Sequence, residues 1–275
     1  MFSLSSRIPL KFITLLIESA LTSNHTKCFI HSVYPISMVF KRGIVLAEIC
    51  GIHAGDGYLR NDGKRVELDI SGNLEEQGYY DLHVTKLFKE EFFKFPNPKY
   101  FPSRKTYGFV IRSKNIVEFM NLIGFPYGAK SSTVRIPKFV FKKKIFMIYF
   151  LRGYFDTDGH LGFFRRSNSS YSKYKRTHNY YPRIMLSSIS KELIQDVGAL
   201  LTILNFNFRI HKSNPIKKGE HRKFHITING VNNLLKWVSL IGMRNPVKFS
   251  RLLVWLNHGF CQPNMSLSDR VKLLK

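Results

Sequence analysis

Two nine-residue segments, residues 49–57 and 151–159, place the same kinds of residue in the same order. Each has glycine at its third position, a small residue at the seventh, aspartate at the eighth and glycine at the ninth. Each follows an apolar run and leads into alternating sequence, which predicts a helix that ends where a strand begins. Asp56 and Asp158 therefore stand at two predicted helix ends. Carboxylate oxygens are ligands that a hard divalent cation prefers, so the pair could hold such an ion.

Small residues one turn apart indicate how the two helices would meet. The first segment has Gly51 and Gly55, and the second has Gly153 and Thr157. Residues four apart share one helix face, and a face of small residues allows two helices to approach closely. We therefore predict that the segments pack on each other and bring their aspartates side by side. Two carboxylates that close repel each other unless a cation lies between them.

The charge balance of the whole chain indicates a polyanionic partner. Its 275 residues include 43 Lys and Arg against 18 Asp and Glu, which gives a net charge of +25. Such a charge is not needed for folding and costs self-repulsion, so a nucleic acid is the simplest explanation. No long basic amphipathic helix stands out, and no apolar run reaches the roughly 18 residues of a membrane span. We therefore expect no membrane association.

Cysteine usage predicts a reducing compartment, either the cytoplasm or an organelle matrix. The three cysteines, Cys28, Cys50 and Cys261, are odd in number and far apart, without a CxxC pair. This pattern supports neither a zinc module nor a disulfide framework. Residues 1–40 precede the duplicated sequence, and we interpret them as an extension, with a targeting presequence left open.

Local signals position the other elements around the two segments. Asp62-Gly63 between extended runs predicts a hairpin, and apolar spacing predicts a helix over about residues 75–93. Residues 206–210 predict a strand, and residues 249–257 predict the last helix of the chain. Each half is therefore predicted to run helix, hairpin, helix, hairpin, helix.

The duplication has a second marker that is independent of the nine-residue segments. Residues 121–124 and 239–242 end matching predicted helices with glycine, and a lysine follows six residues later in both halves, at Lys130 and Lys248. We predict an α+β chain with an N-terminal extension, a first repeat, a linker, a second repeat and a C-terminal tail. The bounds of these five parts are 1–40, 41–124, 125–143, 144–260 and 261–275.

The paired segments resemble the signature of the LAGLIDADG homing endonucleases. The resemblance covers roughly residues 42–260. It implies two αββαββ repeats with pseudo-twofold symmetry, motif helices at the interface, and two antiparallel sheets that form a saddle for DNA. A sheet fits the major groove, where all four base pairs can be distinguished. Because both motifs lie in one chain, the resemblance implies a monomer.

The resemblance also implies phosphodiester hydrolysis with Mg²⁺, or another divalent cation such as Mn²⁺, as the cofactor. Two carboxylates and two backbone carbonyls would hold the cation: Asp56, Asp158, Gly55 and Thr157. A lysine near the centre of each site would orient water and offset transition-state charge. The implied catalytic residues are the two aspartates and the two matching lysines: Asp56, Asp158, Lys130 and Lys248.

Basic residues on or beside the polar positions of the predicted strands are the candidate DNA contacts. Alternation leaves one face of each strand polar. Arginine can read guanine edges, whereas lysine more often contacts phosphate. The candidates are these arginines and lysines: Arg60, Lys64, Arg65, Arg104, Lys105, Arg112, Arg165, Arg183, Arg209, Lys212 and Lys223.

Three residues depart from the motif or add to it. His53 lies inside the first segment, and we predict a structural role for it. Arg152 replaces a small apolar residue, and we predict that it points away from the helix interface. Asp156 has no acidic counterpart in the first segment, where Ala54 stands. We interpret Asp156 as structural and not as a third cation ligand.

The leading hypothesis is a site-specific endonuclease that makes double-strand breaks at a long site in double-stranded DNA and initiates intron homing. The alternative is an intron RNA maturase on the same fold, which would bind its host intron RNA and assist splicing without the carboxylates. A non-catalytic DNA-binding regulator is disfavoured because both aspartates and both lysines are present. An intein is disfavoured because no splicing block flanks the repeats.

Overall fold

A computed structural model describes residues 36–165, 180–215 and 221–275 of the chain. Most of the predicted N-terminal extension, residues 1–40, lies outside the described residues. In the part that is described, no helix has the length and apolar character needed to cross a membrane.

The first half contains three main helices and four strands. In chain order they are α1 (Ile36–Asp56), β1 (Gly57–Asn61), β2 (Val66–Asn73), α2 (Thr85–Phe92), β3 (Lys99–Phe101), β4 (Thr106–Ile111) and α3 (Lys114–Leu122). Three short helical turns lead from β2 into α2: Leu74–Glu76, Gln77–Tyr79 and the π-helical Tyr80–Val84. The helix predicted over residues 75–93 is therefore present, but its first half is not regular α-helix.

The second half follows a linker that ends in a 3₁₀ turn, Lys138–Lys142. Its elements are α4 (Lys144–Asp158), β5 (His160–Phe164), β6 (Tyr181–Ser188), α5 (Lys191–Ile203), β7 (Arg209–Ser213), β8 (Lys223–Asn229), α6 (Val231–Leu240), α7 (Pro246–His258) and α8 (Leu267–Leu274). From α4 to α6, the order of helices and strands repeats that of the first half, and α7 and α8 are additional. The predicted fold class, α+β with a duplicated unit, is therefore confirmed.

Each half forms one four-stranded sheet with the same strand order. The first sheet runs β1-β2-β4-β3 and the second runs β5-β6-β8-β7. Every strand pair in the described residues is antiparallel. Asp62 accepts hydrogen bonds from the backbone N–H groups of Lys64 and Arg65, which closes the predicted β1–β2 hairpin.

Side-chain alternation gives each sheet one apolar and one polar face. In β2, Leu68 and Ile70 are fully buried, and Asp69 between them is half-buried. In β6, Ile184 and Leu186 are buried in the same way. The apolar faces pack under the helices, so the polar face of each sheet is the one available to a partner.

The chain departs from the predicted strand at residues 206–210. The strand β7 begins only at Arg209, because Asn205 adopts a positive φ of 59° and ends α5 with a left-handed turn. Phe206 then enters the core, where its ring centroid lies 5.7 Å from that of Trp237. A residue predicted in a strand is therefore a core anchor between α5 and β7.

The helix predicted at residues 249–257 is present as α7, but it is not the last helix of the chain as we predicted. Residues 261–275 contain α8, which begins with a capping box between Ser266 and Asp269. Arg270 of α8 is fully buried and donates to Ser250 Oγ of α7 at 2.9 Å. The helix escaped prediction because it is short and depends on this contact with α7.

Candidate active site

The helices α1 and α4 pack against each other along the faces that carry the small residues. A Cβ atom placed on Gly51 would overlap the carbonyl oxygen of Phe150, and one placed on Gly153 would overlap the carbonyl oxygen of Glu48. Phe150 and Glu48 hold equivalent positions in the two halves. The two contacts are therefore exchanged by a pseudo-twofold axis between the helices.

The same axis brings the two helix ends together. A Cβ placed on Gly55 would overlap Thr157 Oγ1 and would lie 3.3 Å from the carboxyl carbon of Asp158. Burial and, after it, the nearby charge of Asp158 together raise the pKa of Asp56 to about 7. The two predicted carboxylates are therefore close enough that the charge of one affects the pKa of the other.

Two buried lysines bond to the carbonyl groups that precede the aspartates. Lys130 Nζ donates to Gly55 O at 2.9 Å, and Lys248 Nζ donates to Thr157 O at 3.0 Å. Both lysines are less than a tenth exposed. Burial lowers the pKa of Lys130 to about 8, while the charges of Asp158 and Asp56 act to raise it, so this amine stays protonated at neutral pH. The two lysines that the resemblance implied, at matching spacing in the sequence, therefore lie at equivalent places in both halves.

Asp56 is half-buried and held by its neighbours. Tyr80 Oη donates to Asp56 Oδ2 at 2.5 Å. A Cβ placed on Gly72 would lie 2.6 Å from Asp56 Oδ2 and 3.1 Å from Glu76 Oε2, so both carboxylates face the space that Gly72 leaves open. Glu76 Oε1 in turn accepts a hydrogen bond from Lys248 Nζ at 3.3 Å.

Asp158 lies in a more open setting. Its side chain is exposed at a cavity of about 350 Å³. The surrounding protein still desolvates the carboxyl and raises its pKa, whereas Lys130 and Lys248 lower it. The cavity is lined by residues of both halves: Ala54, Gly55, Lys130, Ser131, Val134, Asp158, Ser187, Ser188, Ile189 and Lys223.

The donor groups at this site fit a hard divalent cation. Asp56 and Asp158 supply carboxylate oxygens that repel each other, and Gly55 and Thr157 supply carbonyl oxygens. Within the described residues, no group of three or more His, Cys, Asp or Glu side chains could hold a metal ion. A cation bound here would therefore need carbonyl, water or phosphate oxygens to complete its ligands.

His53 and Asp156, for which we predict structural roles, both lie inside the protein. His53 is fully buried, with its ring 4.4 Å from that of Phe125 in an edge arrangement, and burial lowers its pKa well below the usual value. Asp156 is also fully buried, and its Oδ2 accepts a hydrogen bond from Arg244 N at 2.8 Å. Its backbone carbonyl accepts one from Asn245 Nδ2 at 2.7 Å.

The prediction for Arg152 was wrong. Arg152 does not point away from the interface but crosses it, and donates to both carboxylate oxygens of Glu48 at 2.9 Å and 2.6 Å. Its guanidinium lies 4.0 Å from the ring centroid of Tyr149. His83 Nε2 also contacts Glu48, at 2.7 Å. The position tolerates an arginine because Glu48 of the other helix neutralises the buried charge.

The polar face of the first sheet carries charges of both signs. Arg112 Nε donates to Glu67 Oε1 at 2.8 Å. Arg104, in the β3–β4 turn, reaches Asp69 at 2.5 Å. These predicted DNA contacts are therefore held in ion pairs that orient their guanidinium groups across the sheet.

The turns of the first sheet hold the remaining predicted contacts of this half. Arg60 pairs with Asp62 at 2.6 Å. Lys64, Arg65 and Lys105 are exposed. All three lie at the ends of hairpins, where long side chains can reach a bound polyanion.

The described strands of the second sheet contain no Asp or Glu. Arg183 Nε donates to Asn229 Oδ1 at 2.8 Å, and its guanidinium lies 4.4 Å from the ring centroid of Phe164. Arg183, Arg165 and Arg209 line a cavity of about 450 Å³ on this face. The second polar face is therefore purely cationic and amide-rich.

Two predicted lysines of this sheet fall on different faces. Lys223 is aligned with Ser213 and lines the cavity beside Asp158. Lys212 is aligned with Phe224, which is the residue next to Lys223 in β8. Because successive residues of a strand point to opposite faces, Lys212 projects from the face opposite to that of Lys223. Lys212 therefore lies beside the polar face and not on it.

Sequence reasoning missed three residues of the site, Glu76, Tyr80 and Asn245. Glu76 and Tyr80 are four residues apart, a spacing that places them on one side of a helical turn. Asn245 Nδ2 donates to Glu76 Oε1 at 2.8 Å across 169 residues of sequence. The helical spacing was visible in the sequence, but nothing in it pointed toward Asp56.

Comparison with protein families gives a match in the second half of the chain. Residues 146–242 match the family described as LAGLIDADG-like domain. This range runs from α4 through α6. Comparison with curated proteins gave no match.

Among solved structures, the chain is similar to mesophilic variants from the homing endonuclease I-DmoI, with 16% identity and a TM-score of 0.49 over 73% of this chain and 96% of that one. It is also similar to the N-terminal LAGLIDADG domain of DUF199/WhiA, with 17% identity and a TM-score of 0.46 over 88% and 94% of the two chains. It is also similar to the homing endonuclease I-WcaI bound to its DNA recognition sequence, with 16% identity and a TM-score of 0.44 over 76% of this chain and 89% of that one. These similarities carry no functional argument.

Proposed function

We propose that this two-motif LAGLIDADG protein is a site-specific DNA endonuclease that makes double-strand breaks with a divalent cation, and so initiates intron homing. One observation carries the proposal. At the α1–α4 interface, Asp56 and Asp158 lie together, each beside a backbone carbonyl that accepts a hydrogen bond from a buried lysine. A merely structural helix end needs neither the paired carboxylates nor the two desolvated ammonium groups.

The pseudo-twofold axis matches the symmetry of the substrate. The two strands of a DNA duplex are antiparallel and are related by local twofold axes, so one carboxylate can serve each strand. The two polar sheet faces would lie in the major groove on either side of the cut. Their arginines and lysines would contact phosphates and base edges.

Asp56 and Asp158, with the carbonyl groups of Gly55 and Thr157, would hold the cation. When bound, the cation would supply Lewis-acid polarisation of the scissile phosphate and a lowered pKa for water. Tyr80 Oη holds one oxygen of Asp56, and the carboxylate of Asp158 faces the cavity where a phosphate could enter. Lys130 and Lys248 present ammonium protons that can stabilise the negative charge that develops on phosphate oxygens.

The test uses supercoiled plasmids that carry the intronless host locus, or sites selected from a randomised duplex library, incubated with Mg²⁺. Asp56→Asn and Asp158→Asn are expected to lower the yield of linear DNA by on the order of 10²-fold or more, while DNA binding persists. Glu118→Gln changes an exposed carboxylate of α3 and should leave cleavage as in wild type. Linear product that forms equally fast with Asp56→Asn would refute the nuclease proposal.

An intron RNA maturase is the second candidate, and one observation favours it. Lys142, Lys143 and Lys144 form an exposed basic run at the start of α4. This run lies at the opposite end of α4 from Asp158, about 20 Å away along the helix. A splicing assay with both aspartates replaced by asparagine distinguishes the two, because a maturase would keep its activity.

A further inference from the structure

The pseudo-twofold symmetry of the site is broken at the two carboxylates. Asp56 Oδ2 accepts a 2.5 Å hydrogen bond from Tyr80 Oη. For Asp158, the described residues show no side-chain donor of this kind, and its carboxylate faces the open cavity. One aspartate is therefore fixed by a protein hydroxyl, whereas the other is free to follow its ligand.

Tyr80 lies in a segment shaped to reach Asp56. It begins the π-helical turn Tyr80–Val84, and such turns often occur at functional sites because they redirect side chains. Gly72 leaves the space for this approach, since a Cβ there would overlap Tyr80 Oη. The π-helical turn thus brings Tyr80 to Asp56 Oδ2, and the lack of a side chain at Gly72 of β2 leaves room for the contact.

Glu76 adds a second fixed group beside Asp56. It is 8% exposed, and its Oε1 accepts hydrogen bonds from Asn245 Nδ2 at 2.8 Å and Lys248 Nζ at 3.3 Å. Both donors belong to the second half of the chain. Glu76 therefore ties Lys248 to the side of the site that contains Asp56.

We propose that Tyr80 and Glu76 are positioning residues for Asp56 and Lys248, and that they make cleavage of one DNA strand depend on contacts that the other strand does not need. The inference rests on the proposed nuclease function. Tyr80 fixes the rotation of the Asp56 carboxylate, and Glu76 fixes the ammonium group that faces Thr157 O. On the Asp158 side, the described residues supply Lys130 and an exposed carboxylate, and they contain no equivalent of Tyr80 and Glu76.

Strand-resolved cleavage tests this inference. A supercoiled plasmid becomes nicked when one strand is cut and linear when both are cut, and end-labelled duplexes identify the strand. Asp56→Asn first identifies the strand that Asp56 serves. Tyr80→Phe is expected to slow the cutting of that same strand by about 10–100-fold, the usual effect of removing an orienting partner. Nicked plasmid should therefore accumulate while the other strand is cut at the wild-type rate.

Two further variants sharpen the result. Glu76→Gln keeps the side-chain volume and should slow the same strand as Tyr80→Phe. Tyr154→Phe is the matched control, because Tyr154 Oη donates to Ser187 O at 3.0 Å and not to an aspartate. Both strands should be cut by Tyr154→Phe as fast as by wild type.

A binding measurement separates this inference from the proposed function. Electron paramagnetic resonance of Mn²⁺ added to the full chain should show that Tyr80→Phe weakens Mn²⁺ binding by about 10-fold or more, and that Tyr154→Phe does not. Equal slowing of both strands by Tyr80→Phe, or unchanged Mn²⁺ affinity, would overturn the positioning role. A wild-type protein that cuts neither strand would instead refute the nuclease proposal, and the Mn²⁺ result would still decide the role of Tyr80.

Discussion

At the scale of single residues, the charged groups at the α1–α4 interface are notable because they are buried and each needs a partner there. Lys130 and Lys248 are buried although lysine is seldom found inside a protein, and each bonds to a helix-terminal carbonyl. Glu48 and Arg152 are buried as well, but they form a closed ion pair on the motif helices. The lysines face the site and can act on a ligand, whereas the Glu48–Arg152 pair is satisfied within the protein.

The Glu48 pair leads to a prediction about stability and pH. Burial alone would raise the pKa of Glu48, but Arg152 and His83 hold it at about 2, against 4.5 for the free side chain. The stabilisation from the ionised group is therefore complete above about pH 4.5 and is lost as the pH falls toward 2. Glu48→Gln should lower the free energy of unfolding at pH 7 by about 3–5 kcal/mol, because Arg152 is left unpaired.

Urea unfolding followed at pH 7, 5, 4 and 3 measures this effect. In Glu48→Gln the loss of stability on acidification should be smaller than in wild type. Glu118→Gln breaks an exposed pair with Lys114 and should cost at most about 0.5 kcal/mol. A similar cost for the two variants would show that the buried pair is not a significant source of stability.

At the scale of elements, the packing of α1 on α4 determines where the aspartates lie. The glycines of the motifs are required by the closeness of the two backbones and not by flexibility. The prediction that small residues mark a helix interface follows from this steric rule alone, and the contacts of Gly51 and Gly153 agree with it. The rotation and depth of the helices then place both carboxylates at the same end.

Glycine substitution in α4 tests this packing. A Cβ on Gly153 would lie 3.0 Å from Ile52 N and 3.2 Å from Glu48 C, which are backbone atoms that cannot move aside. Gly153→Ala should therefore destabilise the protein by about 1–3 kcal/mol and slow cleavage of both strands. Thermal unfolding and plasmid cleavage measure the two effects.

Gly78→Ala is the matched control for Gly153→Ala. Gly78 lies in a helical turn, and the nearest atom to a Cβ placed there is Pro246 Cγ at 3.9 Å. Alanine at this position should leave the stability unchanged or raise it by up to about 1 kcal/mol. If both variants lost stability equally, close helix approach would not be the cause.

At the scale of the whole molecule, the charge is unevenly distributed over the two polar faces. The chain carries a net charge of +25. The first sheet balances part of its charge with Glu67 and Asp69, whereas the described strands of the second contain no carboxylate. The second sheet should therefore provide more of the general attraction to phosphate, and the first more of the oriented contacts.

Salt dependence tests this whole-molecule property. If six to ten phosphates are neutralised, DNA affinity should fall by about 10³–10⁵-fold between about 50 and 200 mM salt. Arg209→Gln, on the polar face of the second sheet, should reduce the slope of log affinity against log salt by about one. Fluorescence anisotropy with a labelled duplex measures the slope.

Arg135→Gln is the control for the salt experiment. Arg135 is exposed but lies in the linker, where it pairs with Asp196 of α5 at 2.8 Å. It should leave the slope as in wild type. Affinity that does not change with salt would contradict nucleic-acid binding altogether.

Much of the architecture could be predicted because it depends on local spacing. The repeated nine-residue segments, the hairpins and the order of elements are properties of residues within a few positions of each other. The match of residues 146–242 to the LAGLIDADG-like domain agrees with the resemblance at the second of those segments. Even Lys130 and Lys248 could be proposed, because duplication places them at equal distances from equivalent glycines.

Only the tertiary structure decided which distant residues meet. Tyr80 reaches Asp56 across 24 residues, Asn245 reaches Glu76 across 169, and the direction of Arg152 depends on Glu48 of the other helix. Spacing along one helix or strand cannot encode such contacts, because they depend on the angle and depth at which the elements pack. The sequence by itself determined two similar halves with an acid at the end of each motif, and packing made their two acids different.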